Sequence, residues 1–106
     1  MQPVPLMNDT KWDELRLSMH SVDPRPRWRT RDIESGYESD WDGDWFHHFR
    51  IGGYATIQWV EIRTNSAAHR EVVLRRLQEV HVPGMATEQG FLVLGYSQVG
   101  ESVDYL

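Results

Sequence analysis

Two glycine-containing pairs set the frame for this chain. Asp42-Gly43 and Gly52-Gly53 each separate runs rich in apolar and aromatic residues. Such dipeptides suit two-residue hairpin turns, which need positive φ at their central residues. Turns at both places predict a three-stranded antiparallel meander over 27–39 (with a break near Gly36), 44–51 and 54–63. The first turn would set Trp41 opposite Asp44 and Asp40 opposite Trp45. The second would set Phe49 opposite Thr56, His47 opposite Gln58 and Trp45 opposite Val60. Aromatic residues then fall on both faces of the sheet, which suggests an interface or a homodimer through an aromatic sheet face.

Helices flank this meander. Trp12, Leu15 and Met19 recur at helical spacing after Asp9 and Thr10, either of which makes a good N-cap, so a helix is expected over 11–20. The run Asp23-Pro24-Arg25-Pro26 ends it. Residues 1–9, carrying Pro3 and Pro5, read as an extended N-terminal arm. Asn65 or Ser66 caps a second helix over 67–80, with Val73, Leu77 and Val80 on its dry side. Residues 81–89 read as a loop, 90–97 as an apolar strand, 98–102 as a turn and 103–106 as a last short strand. A right-handed crossover through the second helix would make the strands on either side of it parallel. The expected class is α+β: a single mixed, mainly antiparallel sheet with two helices, ordered α-β-β-β-α-β-β, in one domain spanning 1–106.

Composition narrows the function. The 106 residues carry a net charge of −5 and no cysteine. An acidic chain is repelled by phosphate backbones, which argues against general nucleic-acid binding. The absence of cysteine removes thiolate chemistry, disulfides and Cys-based metal sites, and fits a reducing compartment. No apolar run approaches the ~18 residues of a membrane span, and no signal-peptide pattern opens the chain, so a cytoplasmic protein is expected. No HExxH, GxSxG, GxGxxG or phosphate-loop motif is present, so no catalytic residue is assigned and no cofactor is expected.

Three groups of residues stand out. Asp40, Trp41, Asp42, Asp44 and Trp45 would form an acidic, indole-flanked hairpin tip, in which acids steer an encounter and indoles supply buried contact area. The same stretch offers a divalent-metal reading, with Asp40, Asp42, Asp44 and either His47 or His48 as ligands. A strand would point the two histidines to opposite faces, so at most one joins a given site. The calcium-loop pattern fails, because counting from Asp40 its sixth and twelfth positions hold Trp45 and Ile51. Third, Arg25, Arg27, Arg29 and Arg31 alternate with Pro26, Trp28, Thr30 and Asp32. Period-two alternation puts the arginines on one strand face, either as a stripe for an anion or nucleic acid, or as a solvated face paired with carboxylates across the sheet.

The runs PRWRTRDIESGYESDWDGDWFHHF, GGYATIQWVEI, HVPGMATEQGFLVLGY and VDYL together resemble a family of small uncharacterised bacterial proteins, a domain of unknown function. The resemblance covers nearly the whole chain from Lys11 and implies no activity, so it adds no site residues. The residues themselves favour a small protein-binding module, either an accessory protein or an immunity-type partner that masks a basic surface. The metal-dependent and anion-binding readings stand as alternatives.

Overall fold

The computed structural model describes residues 3–98 and 100–106. Two helices form where apolar spacing and caps agree. Helix α1, Asp9–His20, buries Trp12, Leu15, Arg16 and Met19, a single stripe at i, i+3, i+4 and i+7. Its N-cap is Asn8, not Asp9 or Thr10: the Asn8 side chain accepts from Lys11 N at 2.8 Å. Asn8 has the extended backbone a cap requires, and Asp9 and Thr10 already lie in the first turn. Helix α2, Ala67–Val80, has the expected bounds, with the Ser66 hydroxyl accepting from His69 N at 3.0 Å. His69, Val73, Leu77 and Val80 form its buried side.

The strands form two sheets, so the α+β class holds while the expected single sheet divides. β1 (Pro3–Pro5) pairs with β6 (Tyr96–Gln98) in a two-stranded ribbon. The N-terminal arm is thus extended and docked, and its two prolines sit in a ribbon where few backbone donors are needed. Residues 1 and 2 of that arm, and Val99 of the expected 98–102 turn, lie outside the described residues. β2 (Arg27–Asp32), β3 (Ile57–Arg63), β4 (Gly84–Ala86) and β5 (Gly90–Leu94) form the larger sheet, ordered β2-β3-β5-β4 with every pairing antiparallel. The expected crossover does not make 54–63 and 90–97 a parallel pair. The chain leaves α2 into β4, within the expected 81–89 loop, and β5 then pairs antiparallel with β3. β4 runs parallel to β3, but β5 folds back between them and takes the hydrogen bonds of both. The expected 90–97 strand breaks at Gly95, where a Cβ would lie 2.1 Å from Ile57 O. Of the expected last strand, only the Pro83–Tyr105 bridge forms.

The meander over 27–63 is where expectation and structure part. No hairpin forms at Asp42-Gly43, and 44–51 is not a strand. The chain reverses earlier, just after β2. The Asp32 carboxylate accepts from Glu34 N and Ser35 N, Gly36 adopts φ 75°, and Asp32 N donates to Tyr37 O. Asx side chains and a left-handed glycine are the usual parts of such a turn. Residues 38–42 then run back beside β2, bridging Glu38 to Arg31 and Asp42 to Trp28. Beyond them, 43–56 is a loop with one 3-10 turn, His48–Arg50, and with positive φ at Gly52 and Gly53. Gly52-Gly53 is therefore a turn as expected, though not one between paired strands. The pairings Phe49–Thr56, His47–Gln58 and Trp45–Val60 do not occur.

This loop packs onto the sheet. Trp45, Phe49 and Tyr54 are buried in one core with Trp12, Leu15 and Met19 of α1, Val73 and Leu77 of α2, and Trp28, Val60, Ile62, Phe91 and Val93 of the sheet. Ring centroids lie 4.8 Å apart for Trp45–Phe49 and 5.1 Å apart for Trp28–Phe49. Tyr54 donates its hydroxyl to Asp13 Oδ1, and Arg16 Nη1 donates to Phe46 O at 2.8 Å, so α1 anchors both ends of the loop. Burial and the Asp13 contact push the Tyr54 hydroxyl up to about 12. The core thus fills one face of the larger sheet.

Candidate functional site

The opposite face of the larger sheet carries a different chemistry. Alternation along β2 turns Trp28 into the core and Arg27, Arg29 and Arg31 outward. Register then fixes their neighbours on β3: Arg27 faces Arg63, Arg29 faces Glu61 and Arg31 faces Trp59. A register shift beyond Arg31 adds Gln58 to this face, where its Oε1 accepts from Arg31 Nε at 3.1 Å. Arg29 Nε pairs with Glu61 at 2.7 Å, and Arg31 Nη1 pairs with Glu38 at 2.7 Å. The carboxylate-paired strand face anticipated above is therefore present. It also retains an excess of positive charge, since four arginines meet two glutamates. Arg25 is not part of it. It precedes β2, and its Nε donates to His20 O at 3.0 Å.

Indoles organise these guanidinium groups. Trp41, on the segment returning beside β2, has the Arg63 guanidinium 4.2 Å and that of Arg29 5.1 Å from its ring centroid. Trp59 lies 5.9 Å from Arg29. A guanidinium over an indole face can still donate from its edge, as Arg29 does from Nε to Glu61. Towards β4, the face turns apolar, with Leu92, Leu94 and the half-exposed Met85. A hollow of about 550 Å³ opens there, bordered by Ile33, Gln58, Met85, Leu94, Tyr96 and the carboxylate-bearing Glu101.

The acidic stretch, by contrast, is occupied with itself. Asp42 Oδ1 accepts from Asp44 N at 2.7 Å, and its Oδ2 lies 2.8 Å from His48 Nδ1. Asp44 Oδ1 accepts from His47 N at 2.9 Å, and its Oδ2 lies 3.8 Å from His48 Nε2. The hydrogen bond and charge of Asp42, helped by Asp44, hold His48 above its ordinary value. Burial raises Asp42, but the Asp44 N–H and His48 outweigh it and leave the carboxyl lowered. The His47 N–H lowers Asp44.

Asp40 stands apart, and the His47 ring sits edge-on to Phe46 at 4.9 Å. Among the described residues, no three His, Asp or Glu side chains converge as a metal would require. Of the expected ligands, Asp42 and Asp44 meet at His48, whereas, among the described residues, the side chains of Asp40 and His47 make no hydrogen bond or ion pair with them. Trp45 is also misplaced as a contact residue. It is fully buried, and its Nε1 donates to Pro26 O at 2.8 Å. Of the two indoles expected at a hairpin tip, only Trp41 reaches the surface.

Glu38, Trp59, Glu61 and Arg63 are site residues that sequence reasoning missed. The Asp32–Gly36 turn was the signal for Glu38, since it returns the chain beside β2. Trp59, Glu61 and Arg63 are instead placed by the β2–β3 register, across a long connection that no local pattern marks. Among the described residues, no helix is long and apolar enough to cross a membrane. No curated protein and no solved structure matches the chain. The chain belongs to DUF6678, a family of unknown function whose family model matches residues 1–100.

Proposed function

We propose that this DUF6678 member is a protein-interaction module that docks a short acidic segment of another protein on the outer face of its larger sheet. The observation that supports this is the Arg–Trp array: Arg29 and Arg63 stacked on Trp41, beside Arg27 and Arg31, on a face that no helix covers. Carboxylates of the partner would accept hydrogen bonds from the guanidinium edges. Trp59 and the Met85–Leu94 hollow would take apolar side chains. A basic contact face would then take the place of the acidic contact expected of Asp40, Trp41, Asp42, Asp44 and Trp45, because Asp42 and Asp44 bond locally and Trp45 is buried. A nucleic acid fits less well. The chain as a whole is acidic, and the indole best placed to stack a base already carries two guanidinium groups. The cysteine-free composition suits a reducing compartment, so the proposed setting is the cytoplasm.

A peptide-display selection against the purified protein tests this. Enriched sequences should be acidic with an apolar residue nearby. Trp41→Ala and Arg29→Gln should each weaken the best peptide at least tenfold, about 1.4 kcal/mol, with the melting temperature little changed. Selection of neutral or basic peptides, equal binding by the variants, or tighter binding to an oligonucleotide would refute it.

A further inference from the structure

We infer that the hollow between the start of β2 and the start of α2 binds a tetrahedral oxyanion, specifically the phosphate group of a monoester. The hollow measures about 340 Å³ and is lined by Arg25, Arg27, Arg63, Thr64, Asn65 and His69. Three cations and no carboxylate face it. Among the described residues, none of these three arginines forms an ion pair.

Their arrangement runs against the habit of a stable sheet. Arg27 and Arg63 are direct cross-strand partners, and like charges so placed destabilise the pair. Two residues along, the same strands set Arg29 against Glu61 and join them at 2.7 Å. The sheet therefore neutralises one cross-strand position and leaves the next doubly positive. An anion between the two arginines would relieve the repulsion, and Arg25 supplies a third donor set.

The site is also pre-shaped. His69 is buried, and its Nδ1 accepts from Asn65 N at 3.1 Å. Its Nε2 therefore carries the proton and donates to Pro24 O at 2.6 Å. One imidazole thus ties the segment bearing Arg25 and Arg27 to the segment bearing Arg63 and Asn65. With both nitrogens used, His69 positions the site without contacting the anion. Arg63 is held by its stack on Trp41, and Arg25 by its Nε bond to His20 O, which leaves the terminal nitrogens of both free.

A monoester phosphate carries about −1.5 to −2 charges at neutral pH, which three arginines match. The volume exceeds that of the phosphate alone, so part of the group that bears it can enter as well. This inference does not rest on the acidic-peptide reading. Arg25, Thr64 and Asn65 lie off the sheet face, and the test uses them.

Inorganic phosphate is titrated into ¹⁵N-labelled protein at constant ionic strength, with chloride as the control. Parallel titrations use phosphoserine, a phosphoserine-containing peptide and glucose 6-phosphate. Phosphate should shift the amides of Arg27, Thr64 and Asn65 where chloride does not. Arg25→Gln and Arg27→Gln should each weaken binding at least fivefold, and Asn65→Ala about twofold, without loss of the folded spectrum. Tightest binding of the phosphopeptide would place the group on a protein, and tightest binding of glucose 6-phosphate would place it on a small metabolite. Either outcome supports the site. Shifts spread over every arginine, shifts reproduced by chloride, or unchanged affinity in Arg25→Gln would overturn it. Because Arg25→Gln leaves the Trp41 face intact, loss of phosphate binding can be told apart from loss of acidic-peptide binding.

Discussion

Alanine at Trp45 should cost a large share of the stability of the fold, and alanine at Trp41 should cost little. Trp45 is fully buried, packs 4.8 Å from Phe49 and 5.8 Å from Trp28, and donates to the carbonyl of Pro26. Truncating a buried aromatic costs about 3–5 kcal/mol. The Pro26 carbonyl also loses its donor, which puts Trp45→Ala towards the upper end. A domain of this size has about 5–15 kcal/mol in total, so about a third or more would be lost. At about 4–8 °C per kcal/mol, the melting temperature should fall on the order of 12–40 °C. Trp45→Phe keeps a ring but loses the N–H donor, and should cost about 1–3 kcal/mol.

Trp41 is only partly buried, and its main contacts are two guanidinium groups at about 0.5 kcal/mol each on an exposed surface. Trp41→Ala should therefore lower the melting temperature by less than about 8 °C. Melting by circular dichroism, with urea titration of the same variants, measures both. Equal falls for Trp41→Ala and Trp45→Ala, or wild-type melting of Trp45→Ala, would refute the placement of the loop over 43–56.

Glycine variants probe the same region. Gly43 has no positive φ, and a Cβ added there would meet nothing within 4 Å, so Gly43→Ala should be neutral or stabilise by up to about 1 kcal/mol. A loss above about 1 kcal/mol in urea unfolding would restore the hairpin turn at that residue. Gly90→Ala should be harmful, since its Cβ would lie 1.8 Å from Ile62 O and force β5 off β3, at about 1–3 kcal/mol or more.

Acidity should tune the loop over 42–48. His48 is raised above its ordinary 6.5, so its contribution is complete below that pH and is lost as pH climbs through the raised value. Asp42 and Asp44 are lowered from 3.8, so theirs is complete above that pH and is lost as pH falls through the lowered values. Amide-exchange protection at Asp44 and His47, corrected for intrinsic rates, should peak between these limits. The alkaline decline should vanish in His48→Gln, and a profile of the same shape in that variant would argue against the His48 contacts.

Both helices were legible in the sequence because period and caps point the same way over a dozen residues. β2 was legible from its alternation, which placed Arg27, Arg29 and Arg31 opposite Trp28. The loop over 43–56 was not. Trp45, His47, Phe49 and Ile51 alternate like a strand, yet Trp45 and Phe49 also stand four apart, as on a helical turn. Local bonds decided between the two: the carboxylates of Asp42 and Asp44 accept from backbone N–H groups two and three residues on, which bends the chain where a hairpin would extend it. β4 is three residues long and was invisible as a pattern. The stacking of Arg63 on Trp41 joins residues far apart in sequence, and only the true register brings them together.

The proposed anion sites would favour a compact anion over a long one. At physiological ionic strength, charge is felt over about 8 Å. A single phosphate at Arg25, Arg27 and Arg63, or a short acidic segment on Arg27, Arg29, Arg31 and Arg63, would respond mainly to those arginines, partly offset by Glu38 and Glu61. A nucleic-acid backbone extends over many such lengths and must also run beside the acidic remainder of a chain whose net charge is −5. The like-charged Arg27–Arg63 pair costs only about 0.2–1 kcal/mol on an exposed sheet edge. That is small enough to be carried in the empty state and to be recovered when an anion arrives. On the proposed readings, arginines without carboxylate partners at one end of the larger sheet, with Arg25 beside it, would favour a compact anion over an extended one.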